Sequence, residues 1–220
     1  MTRIDFIALL LFSSFCGTIN ADKLPNDIRW VTQSKEYASL CKQTYQLAQS
    51  VVVPKLKRAK GNLAIVMDLD ETVLDNSKYQ VERSELNLGF TQESWSAWVK
   101  RKEAELIPGA KEFISKVRPF PIRIIFISNR MNDNLKPTKE NLLDLGVLSP
   151  NDVFLLRKNK SDTKEKRRAE VLEGTGRMSK IGPLKVIAYF GDAMGDFPKQ
   201  AEKDFGETNF ILPNPMYGKW

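Results

Sequence analysis

Five apolar residues in a row, Leu63-Ala-Ile-Val-Met67, stop at Asp68, and a second carboxylate follows two residues later at Asp70. A short unbroken apolar run of this kind fits a strand buried on both faces, as in a parallel sheet covered by helices. Ligands of open α/β sheets bind at the carboxyl ends of such strands. Asp68 would be held rigidly by the strand end, and Asp70 would lie on the loop that leaves it. A carboxylate pair so placed can hold Mg²⁺, attack phosphorus and move protons.

The rest of the chain repeats the arrangement. Apolar positions recur at helical spacing over about 26–53, and Pro54 is expected to end that helix. The first strand covers about 62–68. Tyr79, Phe90, Trp95, Trp98 and Val99 fall between the first two strands, where a small helical cap would sit, with Thr91 and Ser94 starting a helix. A helix through Phe113, Ile114 and Val117 precedes the second strand, Ile122–Ile127, which runs into Ser128-Asn-Arg130. A helix from Pro137 to Leu145 would close on Gly146 as its left-handed cap. The third strand is Val153–Leu156, and the helix after it starts at Ser161 or Asp162. Residues 174–183 read as a loop or short insertion. The fourth strand, Val186–Phe190, ends at Gly191-Asp192, and Phe210–Leu212 offers a fifth. Strands alternating with helices predict a three-layer α/β fold with a parallel sheet. Such a sheet gathers Asp68, Asp70, Ser128, Asp192 and Asp196 at one edge.

Composition narrows the chemistry. The 220 residues contain no histidine, which removes Ser-His-Asp and Cys-His catalysis, phosphohistidine intermediates and His-ligated zinc. Catalysis must rest on carboxylates, Lys, Ser or Thr and a hard metal. The net charge of +7 suits an anionic substrate or surface. It is no sign of a nucleic-acid polymer as partner. The basic stretch from Arg157 to Arg168 lacks aromatics and reads mostly as a solvated helix face.

Residues 1–21 read as a secretory signal: Arg3, an apolar core from Phe6 to Phe12, and Ile19-Asn20-Ala21 as a cleavage site. The apolar run is far shorter than the roughly 20 residues of a spanning helix. Lipid attachment at Cys16 is disfavoured by Phe15, where a small residue is wanted. Cleavage would leave residues 22–220 as one domain, with cap elements at about 25–55 and 79–107 and no membrane-spanning segment. Cys41 would then be the only cysteine, and an internal disulfide is impossible. The expected location is the bacterial periplasm, the outer membrane or the medium.

Asp68-Leu-Asp-Glu-Thr-Val-Leu-Asp-Asn-Ser-Lys-Tyr79 resembles the first motif of the haloacid dehalogenase (HAD) superfamily. More narrowly it resembles the bacterial class C nonspecific acid phosphatases of subfamily IIIB, a group that includes outer-membrane lipoprotein nucleotidases. Ile127–Arg130 is similar to that group's second motif and Lys160–Arg167 to its lysine segment. Gly191–Phe197 resembles its last acidic motif, and Leu212–Trp220 its C-terminal end. The resemblance spans about residues 25–220. It implies a Rossmann-like three-layer core with a small α-helical cap, one Mg²⁺ per site and hydrolysis of a small phosphomonoester.

On that resemblance Asp68 is the nucleophile and Asp70 the general acid and base. Mg²⁺ would be held by the Asp68 carboxylate, the Asp70 carbonyl and Asp192, with Asp196 orienting its waters. Ser128 would bond a phosphoryl oxygen and Lys164 would neutralise charge, with Lys158 and Lys160 as rivals for that role. Acid operation follows if Asp70 must be protonated to donate, its reference pKa being about 3.9. Trp95, Trp98 and Tyr217 are candidates to stack on a nucleobase, although tryptophans three apart also describe one packed helix face. Asn76, Asn129 and Arg130 are candidate polar contacts to substrate. Phosphoryl transfer to an alcohol, or a storage or binding role on the same fold, are the alternatives, and a homodimer is possible.

Overall fold

The computed structural model describes residues 24–218; the expected signal segment 1–21, with Cys16, lies outside them. The sheet forms where the apolar runs predict it. β1 (Leu63–Met67) pairs in parallel with β4 (Ile122–Met131) on one side and β6 (Lys185–Gly191) on the other. β5 (Val153–Arg157) and β7 (Asn209–Ile211) extend it to the parallel order β5-β4-β1-β6-β7. The chain steps outward from β1 through β4 to β5, then returns to β6. The end of β1 is therefore the switch point at which open sheets form a crevice.

Every residue of β1 is buried. Leu63, Ile65 and Met67 pack into one apolar cluster with α2 (Lys35–Arg58), α5 (Ala110–Val117) and α6 (Leu135–Asp144). Ala64 and Val66 face the opposite cluster, with Val171 of α7 (Lys164–Glu173) and Met178. Strand alternation thus divides one run of apolar residues between two cores, which makes the three layers.

Two short strands, β2 (Leu74–Asp75) and β3 (Glu105–Leu106), pair antiparallel at the base of the segment that follows β1. Between them lie α3 (Ser77–Glu85) and α4 (Gln92–Arg101). α4 starts as the sequence predicts, with Thr91 and Ser94 forming a reciprocal capping box. Tyr79, Trp95 and Trp98 pack together between these helices.

Four expectations are corrected. The N-terminal helix is not continuous: α1 (Asn26–Gln33) stops at Ser34, whose hydroxyl accepts from Tyr37 N at 3.0 Å and caps α2. Pro54 does not end α2, which continues to Arg58, because Val52 and Leu56, one turn apart, are buried and hold the turn despite the missing N–H. The cap of α7 is Thr163 rather than Ser161 or Asp162. Ser161 bonds Asn159, and the Asp162 carboxylate accepts from Lys158 N and Arg177. The fourth expectation is corrected in part: most of 157–168 is exposed or half-exposed as expected, but Arg167 and Arg168 are buried.

The 174–183 segment is a packed element. Gly174 turns it with φ +67°, where an added Cβ would strike Pro183 and Gly182. Gly176–Met178 makes a 3₁₀ turn that drives Met178 fully into the second core. Met178→Ala should therefore cost about 2–5 kcal/mol in urea denaturation. A loss within experimental error would mean that the segment is a dispensable surface loop.

Candidate active site

The site grows from the ends of β1, β4 and β6. Asp68 continues β1, its N–H bonding the Phe190 carbonyl of β6 at 2.9 Å. Leu69, between Asp68 and Asp70, is fully buried and anchors the turn in the core. The N–H groups of Val73 and Leu74 both return to the Leu69 carbonyl, and Glu71 takes a left-handed φ of +56° within this tight turn. The buried Glu71 carboxylate accepts from Asn76 N at 3.0 Å, which locks the exit from the turn.

Three carboxylates converge. Asp68, Asp192 and Asp196 each present an oxygen within 4.8 Å of the others. Lys164, the first residue of α7, extends its ammonium into this cluster. Its Nζ lies 2.7 Å from Asp68 Oδ1, an ion pair off the hydrogen-bond direction, and also bonds Asp196 Oδ1. Asp196 Oδ2 accepts from Ala193 N at 3.1 Å, and Asn214 Nδ2 donates to Asp192 Oδ2 at 2.8 Å. That last bond brings the C-terminal segment carrying the half-buried Tyr217 to the cluster.

One ammonium cannot neutralise three carboxylates. Burial pushes Asp68 well above the usual carboxylate range; Lys164 opposes this, and Asp196, Asp192 and Asp70 reinforce it. Burial, with Asp196 beside it, raises Asp192 to about 6. Burial would lower Lys164, but Asp68 and Asp196 outweigh it and keep the ammonium charged. A hard, oxygen-seeking dication fits this donor set and its charge deficit.

Asp70 is held differently. Its Oδ1 accepts from Arg130 Nε at 2.9 Å and Asn76 Nδ2 at 3.1 Å, and Arg130 Nη2 lies 2.8 Å away as an ion-pair contact. Its Oδ2 accepts from Ser128 Oγ at 3.2 Å. Ser128 and Arg130, two apart on β4, face the same way into the buried side, while Asn129 between them is exposed and bonds Arg167 Nη2 at 2.7 Å. β4 runs past its predicted end through this segment, with a register shift against β5 between Ser128 and Met131.

Arg130 and Asn76 are corrected as open substrate contacts. They are 1% and 0% exposed, and each nitrogen of the Arg130 side chain is bonded, to Asp70, Asn76 and Thr138. Trp95 and Trp98 are likewise buried packing residues without a free face for stacking, and Trp98 Nε1 donates to Asn76 Oδ1 at 2.9 Å.

Residues 18–220 match the profile of the HAD superfamily, subfamily IIIB (acid phosphatase). The chain belongs to that family. It is accordingly an acid phosphatase, a phosphoric monoester hydrolase. The class C acid phosphatase of Bacillus anthracis has a similar structure, with 29% identity over 92% of this chain and 87% of that one and a TM-score of 0.76. A structure of the same enzyme with tungstate bound gives 30% identity, 92% and 88% coverage, and a TM-score of 0.76. Among the described residues, no helix of this acid phosphatase is long and apolar enough to cross a membrane.

Sequence reasoning missed Arg167, whose Nη1 bonds the carbonyls of Ser128 and Leu155 and so ties the ends of β4 and β5 together. It lay inside a basic run with no periodic signal. Asn214 and Glu71 were also missed, although both sit within the quoted motifs.

Gly191 lets β6 pass close to the last acid, since an added Cβ would lie 2.7 Å from Asp196 Cγ. Gly191→Ala should displace Asp196, cost about 1–3 kcal/mol in urea denaturation and reduce phosphatase activity together. Wild-type stability in that variant would show that the close approach is unimportant.

Proposed function

We propose that this acid phosphatase is an exported, Mg²⁺-dependent enzyme that hydrolyses phosphate monoesters, 5′-nucleotides among them, through an aspartyl-phosphate. The observation that carries the proposal is the buried cluster of Asp68, Asp192 and Asp196 joined by a single Lys164. Tungstate bound to the Bacillus anthracis relative, a tetrahedral oxyanion resembling phosphate, supports an oxyanion as ligand.

Asp68 attacks phosphorus in line, forming the Asp68–phosphorus bond as the ester oxygen leaves. Lys164 holds the attacking carboxylate and neutralises charge developing on the phosphoryl oxygens. Asp70 gives its proton to the departing oxygen, then takes one from the water that cleaves the aspartyl-phosphate. Ser128 offers its hydroxyl to a phosphoryl oxygen. Mg²⁺ would be held by the Asp68 carboxylate, the Asp70 carbonyl and Asp192, with Asp196 alongside, and supplies the charge compensation that lets a phosphate dianion approach these acids. Tyr217, three residues after the Asn214 that bonds Asp192, would meet the leaving group, where stacking on a base would favour nucleotides. Export rests on the sequence of residues 1–21.

Release of phosphate from p-nitrophenyl phosphate and 5′-AMP, assayed near the acid range with Mg²⁺ or chelator, tests this reading. Chelator should abolish turnover, and Asp68→Asn should lower kcat by at least about 10⁴-fold in folded protein. Full activity in either case would refute the mechanism.

The raised Asp192 gives a second expectation. Its carboxylate is ready above about pH 6 and carries a proton below it, which the cation must displace. Mg²⁺ affinity by calorimetry should therefore fall roughly tenfold per pH unit below that value. In the metal-free protein, Asp192 contributes stability that is present below its unfolded value and lost as pH rises through about 6. The metal-free melting temperature should accordingly drop across that window, and Mg²⁺ should restore it. A pH-independent Mg²⁺ affinity would contradict the assignment.

A further inference from the structure

The Asp70 carboxylate has two unequal oxygens. Oδ1 accepts two N–H bonds, from Arg130 Nε and Asn76 Nδ2, and has Arg130 Nη2 2.8 Å away as an ion-pair contact. An oxygen whose lone pairs accept two N–H bonds beside a guanidinium nitrogen has no room for a proton of its own, because O–H and N–H hydrogens would point at one another. Oδ2 meets only the Ser128 hydroxyl, a group that can either donate or accept. We propose that Arg130 and Asn76 are positioning residues that confine the proton carried by Asp70 to Oδ2, and that Trp98 locks them in place from α4. The proposal rests on Asp70 being the general acid and base.

The lock runs through one amide. Asn76 Oδ1 accepts from both Trp98 Nε1 at 2.9 Å and Arg130 Nη2 at 3.2 Å. This fixes the amide with its nitrogen toward Asp70, since the reverse orientation would set N–H against N–H. Arg130 is fixed in turn by Thr138 Oγ1 on α6 at 3.1 Å, and the Trp95 ring lies 5.9 Å from its guanidinium carbon. The segment between β1 and α5 and the core of the fold thus meet on the two side chains that orient Asp70. A guanidinium that bound substrate would need free donors and an open face, and Arg130, 1% exposed, has neither.

In the first step, the bond from phosphorus to the leaving oxygen breaks, that from Asp68 forms, and the Oδ2 proton moves to the leaving oxygen. A nitrophenolate departs readily without that proton; an alkoxide does not. The test is kcat/KM, which reports steps through departure of the leaving group, for p-nitrophenyl phosphate and for glycerol phosphate. Arg130→Lys keeps the charge but loses the planar fork, and Trp98→Phe keeps the ring but removes the N–H.

The ratio of the two kcat/KM values, nitrophenyl over glycerol, should rise by about 10²-fold in Arg130→Lys, the scale of general-acid catalysis. It should rise in the same direction but less in Trp98→Phe. Equal losses on both substrates would show a merely structural role and overturn the proposal. A rise in KM alone, alike for both, would make Arg130 a substrate contact and also overturn it. Should Arg130→Lys fail to fold, Trp98→Phe, which alters no charge, decides the question. Wild-type turnover and its loss in Asp68→Asn judge the phosphatase mechanism separately.

Discussion

The ammonium of Lys164 between the Asp68 and Asp196 carboxylates is the interaction on which the site depends. All three groups are largely or fully buried, where unpaired charge is expensive. With Asp192 alongside, the carboxylates outnumber the one cation described among them, and the remaining negative charge is what makes a dication complementary to the pocket. The fold supports this arrangement at each corner. β1 fixes Asp68, the capped start of α7 aims Lys164, and Gly191 lets Asp196 close in from the turn after β6.

Asp70 belongs to a second network that shares the same loop but not the same charge balance. Where Asp68 faces a lysine and two carboxylates, Asp70 faces an arginine, an amide and a hydroxyl. Two carboxylates two residues apart are thereby given different surroundings and, on the proposed mechanism, different tasks. The segment between β1 and α5 takes part directly: Trp98 reaches the second network through Asn76. The tryptophans thus act by packing and by one indole N–H rather than as an open stacking surface.

Much of this was legible in the sequence. The apolar runs located all five strands of the main sheet, and the residues ending β1, β4 and β6 are those that converge. What sequence could not supply was direction. Asn76 and Arg130 read as polar contacts because polarity marks a site, but not whether a side chain points at the ligand or at another side chain. Arg167 was hidden because a buried arginine bonded to carbonyls has the same letter as a solvated one. Pro54 misled because the local penalty of a missing N–H was outweighed by burial on either side of it. The 174–183 segment looked like an insertion because its one core residue, Met178, has no periodic partner.

The central claim is that Asp68, held by Lys164, becomes phosphorylated during turnover. The most direct measurement is mass spectrometry of the protein after acid quenching during steady turnover of p-nitrophenyl phosphate. The account predicts the added mass of one phosphoryl group on the peptide containing Asp68, absent from Asp68→Asn. A turning-over enzyme that shows no such adduct, or carries it on another residue, would contradict it.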